Sequence, residues 1–239
     1  VTSSTTVRKP LPLYGRDSEL AALDTLLSHL RHGHGSTLVL SAPPGLGRTA
    51  LVRHAMDGYR DGPVLYARAA PAERPLPYSG LHALLCSAPG PLPPEASDAL
   101  RADLAPTALL DLLRTLGARR PLLVCVDDAH LWDRDSRAAL GFAARRLEPG
   151  RRVSALLTEG QPQASDGHLG GLDRLRLGPL GDRAATTLID RLTDGRAAPA
   201  VREELRREAA GNPLILSAAA GRLTPDQLAG RAPLPEPRG

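Results

Sequence analysis

The chain is poor in lysine, cysteine and aromatic residues. Lys9 is the only lysine among 30 basic residues, cysteine occurs twice, and aromatics make up 3% of 239 residues. Each shortage excludes something. Two thiols, Cys86 and Cys125, supply neither a disulfide framework nor a zinc set. Cys125 lies in an apolar run and reads as a small core residue. So few aromatics argue against a single-stranded nucleic-acid binder built on base stacking. No apolar run approaches the ~18–20 residues of a membrane span. The N-terminus has no apolar signal region, which points to the cytoplasm. Glycine shows no every-third period, which excludes a collagen helix, and there is no internal repeat.

What remains is a globular composition. Apolar residues at 42% and charged residues at 23% are enough for a packed core. At about 150 residues per domain, the length fits one large domain, or one with a small companion. Gly and Pro number 23 each, so loops are plentiful. The net charge is +4 and the isoelectric point about 9.6, but acids and arginines interleave, as in Arg202-Glu203-Glu204-Leu205-Arg206-Arg207-Glu208. A dispersed balance of this kind gives no basic face, and no specific DNA binding is expected of this segment.

Periodicity orders the elements. Residues 1–12 read as a tail. Leu20, Leu23, Leu26, Leu27 and Leu30 recur at helical spacing after an N-cap at Asp17 or Ser18. Short apolar runs at 37–41, 63–69, 122–126, 153–158 and 175–177 read as strands. Helices are expected between them at 49–59, 81–86, 106–116 and 135–147. Strands alternating with helices predict a parallel sheet with helices on both faces. From Gly181 the pattern is all-helical, over 182–192, 199–210, 213–220 and 224–229. The change of class places a boundary near Gly178-Pro179, giving a core over 13–178, a helical domain over 179–230, and a linker or tail over 231–239.

Two motifs carry chemistry. The loop Ala42-Pro43-Pro44-Gly45-Leu46-Gly47-Arg48-Thr49 stands between a strand and a helix, the context of a phosphate-binding P-loop. Its backbone N–H groups and the helix N-terminus suit an anion. Two positions depart from G-x-x-x-x-G-K-[ST]: Ala42 replaces the first glycine, and Arg48 replaces the lysine. About 80 residues later, Asp127-Asp128 closes an apolar strand, where one carboxylate can hold Mg²⁺ and the next can orient a water. His32 and His34 lack a third ligand and read as a solvated loop. His130 and Trp132 follow the acids closely.

With these motifs, the chain resembles the STAND class of P-loop ATPases, and within it the ATPase module of the large ATP-binding LuxR-type transcriptional regulators. LYGRDSEL at 13–20, SAPPGLGRTALV at 41–52, VCVDDAHLWDRDS at 124–136 and AAGNPLIL at 209–216 carry the resemblance, and ERPLPYSGLHALL at 73–85 adds to it. It implies a three-layer α/β/α core with a five-stranded parallel sheet in the order 5-1-4-3-2, plus a small helical lid. It implies ATP or ADP with Mg²⁺ as ligands. Tyr14, Gly15 and Arg16 would lie against the adenine. Pro44, Gly45, Leu46, Gly47, Arg48, Thr49 and Ala50 would line the phosphates. Thr49 and Asp127 would hold Mg²⁺, and Asp128 would be the catalytic, water-orienting acid. Pro213 would close over the base from the helical domain.

The departures shape the functional expectation. Arg48 is longer and forked where lysine is a point charge, and Ala42 is expected to restrict the turn. Glu159 and Gly160 stand where this family often has a sensor arginine, and the Glu159 charge is expected to repel a γ-phosphate. The leading reading is a nucleotide-dependent regulatory switch with slow hydrolysis, joined to further domains of a longer regulator or self-associating. A fully active ATPase and a nucleotide-free scaffold stay open beside it.

Overall fold

The computed structural model describes residues 12–90, 106–147, 150–160 and 167–235. The described residues fall into two compact units, 18–179 and 180–235 with 12–17.

In the larger unit, helix α1 spans Asp17–Arg31, strand β1 Thr37–Ser41, α2 Arg48–Gly58, β2 Val64–Arg68, α3 Ser79–Cys86, α4 Pro106–Arg119, β3 Leu122–Asp127, α5 Arg134–Ala144, β4 Val153–Glu159 and β5 Arg174–Arg176. The five strands form one sheet in the order β2-β3-β4-β1-β5, and every pairing is parallel. This is the three-layer arrangement and strand order that the resemblance implies. β1 never meets β3, because β4 lies between them in register Leu38 with Leu156 and Cys125 with Leu156.

The central strands are the legible ones because they are buried on both faces. Every residue of β3 and β4 is buried, and a strand covered on both sides reads as an unbroken apolar run. One face, with Leu122, Val124, Val126, Val153, Ala155 and Leu157, joins Leu81, Leu84 and Leu85 of α3, Leu109 and Leu113 of α4, and Leu140 of α5 in a single core. α2 packs on β3 and β4 through Leu51, Val52 and Ala55. Its far end is fastened by Tyr59, whose hydroxyl donates to the Pro121 carbonyl at 2.7 Å. That burial pushes the phenol up to about 12. β5 has three residues and exposed arginines at both ends, which explains its faint trace in the sequence.

In the smaller unit, α6 (Asp182–Thr193), α7 (Pro199–Ala209), α8 (Pro213–Gly221) and α9 (Pro225–Leu228) share a core of Leu188, Ile189, Val201, Leu205, Leu216 and Leu228. The interleaved charges are used between helices here: Arg206 pairs with Asp182 at 2.7 Å, Arg202 with Asp190 at 3.0 Å, and Arg222 with Glu208 at 2.8 Å.

Several boundaries differ from the sequence reading, with α4 running on to Arg119 and α5 ending at Ala144 rather than 147. α1 begins at Asp17, so neither Asp17 nor Ser18 is its cap, and the Ser18 hydroxyl instead donates to Glu19 Oε2 at 2.7 Å. Residues 13–17, expected in the core, go with the helical unit: Tyr14 packs on its apolar cluster, and a Cβ on Gly15 would stand 2.5 Å from Ala184 Cβ. Residues 231–235 dock rather than trail. Arg231 pairs with Asp226 at 2.7 Å, Gln227 Nε2 donates to the Pro233 carbonyl at 2.9 Å, and Leu234 joins the cluster. Of the expected tails at 1–12 and 231–239, residues 1–11 and 236–239 lie outside the described residues.

Candidate functional site

The loop after β1, the end of β3 and the end of β4 meet at the carboxyl edge of the sheet. The parallel order brings them together, since β4 stands between β1 and β3. In open α/β sheets the strand carboxyl ends are where ligands bind.

The loop is built on two glycines with positive φ, Gly45 at 86° and Gly47 at 98°. A Cβ on Gly47 would meet nothing within 4 Å, so the demand there is the dihedral angle and not space. Gly47 starts α2 with no side-chain cap and no acid in the first turn. The first N–H groups of a helix have no partner inside it, and together with the dipole they form an anion site. Ala42 costs this loop nothing in conformation. It is absent from the positive-φ residues, is buried, and its N–H donates to the Glu159 carbonyl at 3.3 Å. The expected restriction at Ala42 is therefore corrected.

The acids differ from each other. Asp127 is fully buried. Its Oδ2 accepts the Thr49 hydroxyl at 2.8 Å and its Oδ1 accepts the Thr158 hydroxyl at 2.8 Å. Arg68, paired with Asp127 in the sheet register, brings Nε to 3.8 Å. Asp128 follows in the left-handed region at φ 58°, which aspartate tolerates better than most residues. Its N–H donates to Thr158 Oγ1 at 2.7 Å.

Arg48 crosses the site. Nη1 donates to the Ala42 carbonyl at 2.8 Å and to the Glu159 carbonyl, while Nη2 donates to Asp128 Oδ1 at 2.8 Å. The two paired side chains are 11% and 16% exposed, so the pair is largely withdrawn from water. One guanidinium thus ties the loop to the ends of β3 and β4.

The sensor position at the end of β4 also differs from expectation. The Glu159 carboxylate pairs with Arg174 of β5, and Arg174 Nη2 donates to the Leu169 carbonyl at 2.7 Å. Its charge is compensated there, which corrects the expected repulsion. The Gly160 N–H donates to His130 Nδ1 at 3.0 Å. This fixes the tautomer with the proton on Nε2. Burial, opposed by Asp128 but reinforced by Arg48, Arg137 and Arg74, holds the imidazole below its usual range, so it is neutral at pH 7.

A second layer supports the acids. Asp133 caps α5 by accepting the Ser136 N–H at 2.8 Å. It also accepts the N–H of Tyr78 at 2.9 Å and of Gly80 at 3.1 Å. Burial acts to raise its carboxyl, but the hydrogen bonds from Ser136, Gly80 and Tyr78 outweigh it and hold the group below the usual carboxylate range. Gly80 lies flat on the Trp132 ring, where a Cβ would approach to 2.4 Å. Residues 78–80 are thereby clamped to the residues trailing the acids.

Of the residues singled out by sequence, Arg48, Thr49, Asp127 and Asp128 are joined by hydrogen bonds, and Pro44, Gly45, Leu46, Gly47 and Ala50 lie in the same loop and first turn. Tyr14, Gly15, Arg16 and Pro213 belong to the helical unit. Pro213 opens α8 after a stop at Ala209, with Asn212 Oδ1 accepting the Leu214 N–H at 3.0 Å. Sequence reasoning missed Thr158, Asp133 and Arg174. The signals available were a lone threonine at the end of an apolar strand and an aspartate three residues before a serine at a helix start.

The residues present fit a Mg²⁺-nucleotide. An uncapped helix start faces the loop, and a threonine hydroxyl already lies on a buried carboxylate. Among the described residues no group of three His, Cys, Asp or Glu side chains could hold a metal. Mg²⁺ takes one or two protein ligands and completes its shell with waters and phosphates, and Thr49 with Asp127 offers such a pair. No described helix is long and apolar enough to cross a membrane.

The comparisons with known proteins agree with this geometry. No curated protein sequence matches the chain. Among solved structures, three point variants of RuvB from Thermotoga maritima superpose with TM-scores of 0.55, 0.56 and 0.55 at 16%, 14% and 16% identity. Each match covers 87% of this chain and 61–62% of the RuvB chain, so the chain spans less than two thirds of their length. At such identity the likeness is one of fold. The sequence pattern of the AAA ATPase domain matches residues 12–158. That stretch is more than half of the chain and holds the loop, Thr49, both acids and Thr158, so the protein belongs to the AAA ATPase domain family.

Proposed function

We propose that the chain is an ATP- and ADP-binding regulatory module with slow hydrolysis, of the STAND class and the large LuxR-type regulators it resembles. The carrying observation is a division within the site. The parts that bind phosphate and Mg²⁺ are in order: the positive-φ glycines, the uncapped start of α2, and Thr49 on Asp127. The parts that serve turnover are engaged elsewhere, with Arg48 on three acceptors, one of them Asp128.

Each residue has a derivable task. Backbone N–H groups from Gly45 to Ala50 receive phosphate oxygens, which Arg48 does not prevent. Thr49 and Asp127 would hold Mg²⁺, which when bound would neutralise developing phosphate charge. Thr158 keeps Asp127 oriented. Asp128 Oδ1 is already taken by the Arg48 guanidinium, so it is engaged away from a water. Loss of one well-placed group at such a centre costs ~10²–10³ in rate. The proposal includes Tyr14, Gly15, Arg16 and Pro213 as adenine-side residues, further domains or self-association as partners, and no specific DNA binding by this segment.

Thermal melts with Mg-ADP and Mg-ATP, together with steady-state phosphate release, test this. Ligand at ~100 times its dissociation constant adds about 2.7 kcal/mol, a shift of about 5–10 °C, and release should stay below ~1 s⁻¹. No shift with either nucleotide would overturn the proposal. Faster turnover would make the chain an active ATPase.

A further inference from the structure

From the Arg48–Asp128 ion pair we infer that the site discriminates against a third phosphate and prefers a nucleoside diphosphate. The inference rests on the nucleotide-binding reading above and names which nucleotide it favours.

Arg48 is held at three points. Its guanidinium donates to two backbone carbonyls, Ala42 and Glu159, and to Asp128 Oδ1. Neither carbonyl can move freely. Ala42 is fixed by its own N–H on Glu159, and Glu159 is a ladder residue of β4 paired with Ser41. The cation is therefore seated in a rigid three-acceptor socket at the sheet edge.

A diphosphate can be bound without disturbing that socket. The groups that receive it are backbone N–H groups of the loop and the first turn of α2, together with Thr49. A further phosphate would have to be placed beyond those groups, where the side chains that Arg48 and Thr49 meet are the carboxylates of Asp128 and Asp127. If Arg48 stays on Asp128, the third phosphate gains no cation from the loop. If Arg48 turns to the phosphate, the Asp128 carboxylate loses its partner while 16% exposed. Leaving a withdrawn charge uncompensated is the costly outcome. Either branch penalises a triphosphate more than a diphosphate, which has less charge to compensate and keeps the backbone N–H groups and Thr49. A lysine at the same position would escape the dilemma, because a compact ammonium on a flexible stem has three rotatable donors and can serve a phosphate and a carboxylate together. Asp128 itself does not block the phosphate; the pairing does.

The experiment measures dissociation constants of the full chain for Mg-ADP and for a non-hydrolysable Mg-ATP analogue, by calorimetry. Wild type, Arg48→Lys and Asp128→Asn are compared, and each variant's fold is checked by circular dichroism. The wild type should bind ADP tighter by about tenfold to a hundredfold, the scale of one hydrogen bond to a charged group. The ratio should fall towards unity in Asp128→Asn, which removes the competing charge and frees Arg48, and in Arg48→Lys. Using an analogue keeps slowed hydrolysis from counterfeiting tighter binding. Equal affinities in the wild type, or an ADP preference unchanged in the folded variants, would overturn this inference while leaving nucleotide binding intact. Failure of the wild type to bind either nucleotide would overturn the nucleotide reading and this inference with it.

Discussion

Thr158 holds Asp127 in place: its hydroxyl donates to Asp127 Oδ1 at 2.8 Å and at the same time accepts the Asp128 N–H at 2.7 Å. One buried hydroxyl thus serves both acids. Thr158→Ala leaves a carboxylate oxygen and a backbone N–H without that partner, at about 1–3 kcal/mol. The core should melt lower by several degrees, since 1 kcal/mol moves a domain of this size by about 2–4 °C. Thr158→Ser, which keeps the hydroxyl, should recover most of the loss. Calorimetric melts of the three proteins check this, and an unshifted Thr158→Ala would show that the bridge carries no weight.

Gly47 is fixed by its dihedral angle. At φ 98° any side chain is strained, although there is open space around it. Gly47→Ala should cost about 1–2 kcal/mol and weaken nucleotide binding, because the start of α2 must re-form with the N–H groups turned. Melts and ADP titrations should move together. A melt unchanged from wild type would mean that the loop accepts negative φ there.

Asp133 sets the acid limb of stability. Its folded pKa lies below the ordinary ~3.9. Its contribution is therefore complete above ~3.9 and is lost as pH falls through the folded value. Asp133→Asn should be less stable than wild type at pH 7, with the difference shrinking below pH ~4. Urea unfolding at pH 7 and pH 3 tests the sign. A gap that widened in acid would contradict the assignment.

His130 acts in a higher window. The unfolded imidazole titrates near 6.5 and the folded one below that, because burial disfavours its charge. The unfolded state then binds the extra proton, so stability is full above ~6.5 and falls as pH drops towards the folded value. His168 is lowered in the same direction, so the informative comparison is His130→Asn against wild type. The variant should lose less stability between pH 7.5 and 5.5. Parallel profiles would remove His130 from the account.

The sequence by itself determined the core architecture. β3 and β4 are buried throughout and β1 over its last three residues, and such strands announce themselves as short apolar runs whatever surrounds them. The alternation with helices then left little choice but a parallel sheet. The loop at 42–49 and the acids at 127–128 were legible because their chemistry is local: a glycine-rich turn between strand and helix, and carboxylates ending a strand. Residues 13–17 and β5 were less so, since a five-residue segment and a three-residue edge strand carry almost no periodicity.

Tertiary structure alone decided what the departures from the motif mean. In the sequence, Arg48 is a longer cation, Ala42 a missing glycine and Glu159 an awkward negative charge. In the fold, Ala42 is a buried loop residue whose N–H meets the end of β4, Glu159 is neutralised by Arg174 across β1, and Arg48 is locked to Asp128, a residue 80 positions away. Thr158 and Asp133 became functional neighbours in the same way. Which carboxylate meets which guanidinium depends on strand order and register, and those are set by the burial of whole faces. No local pattern around a single residue contains that information.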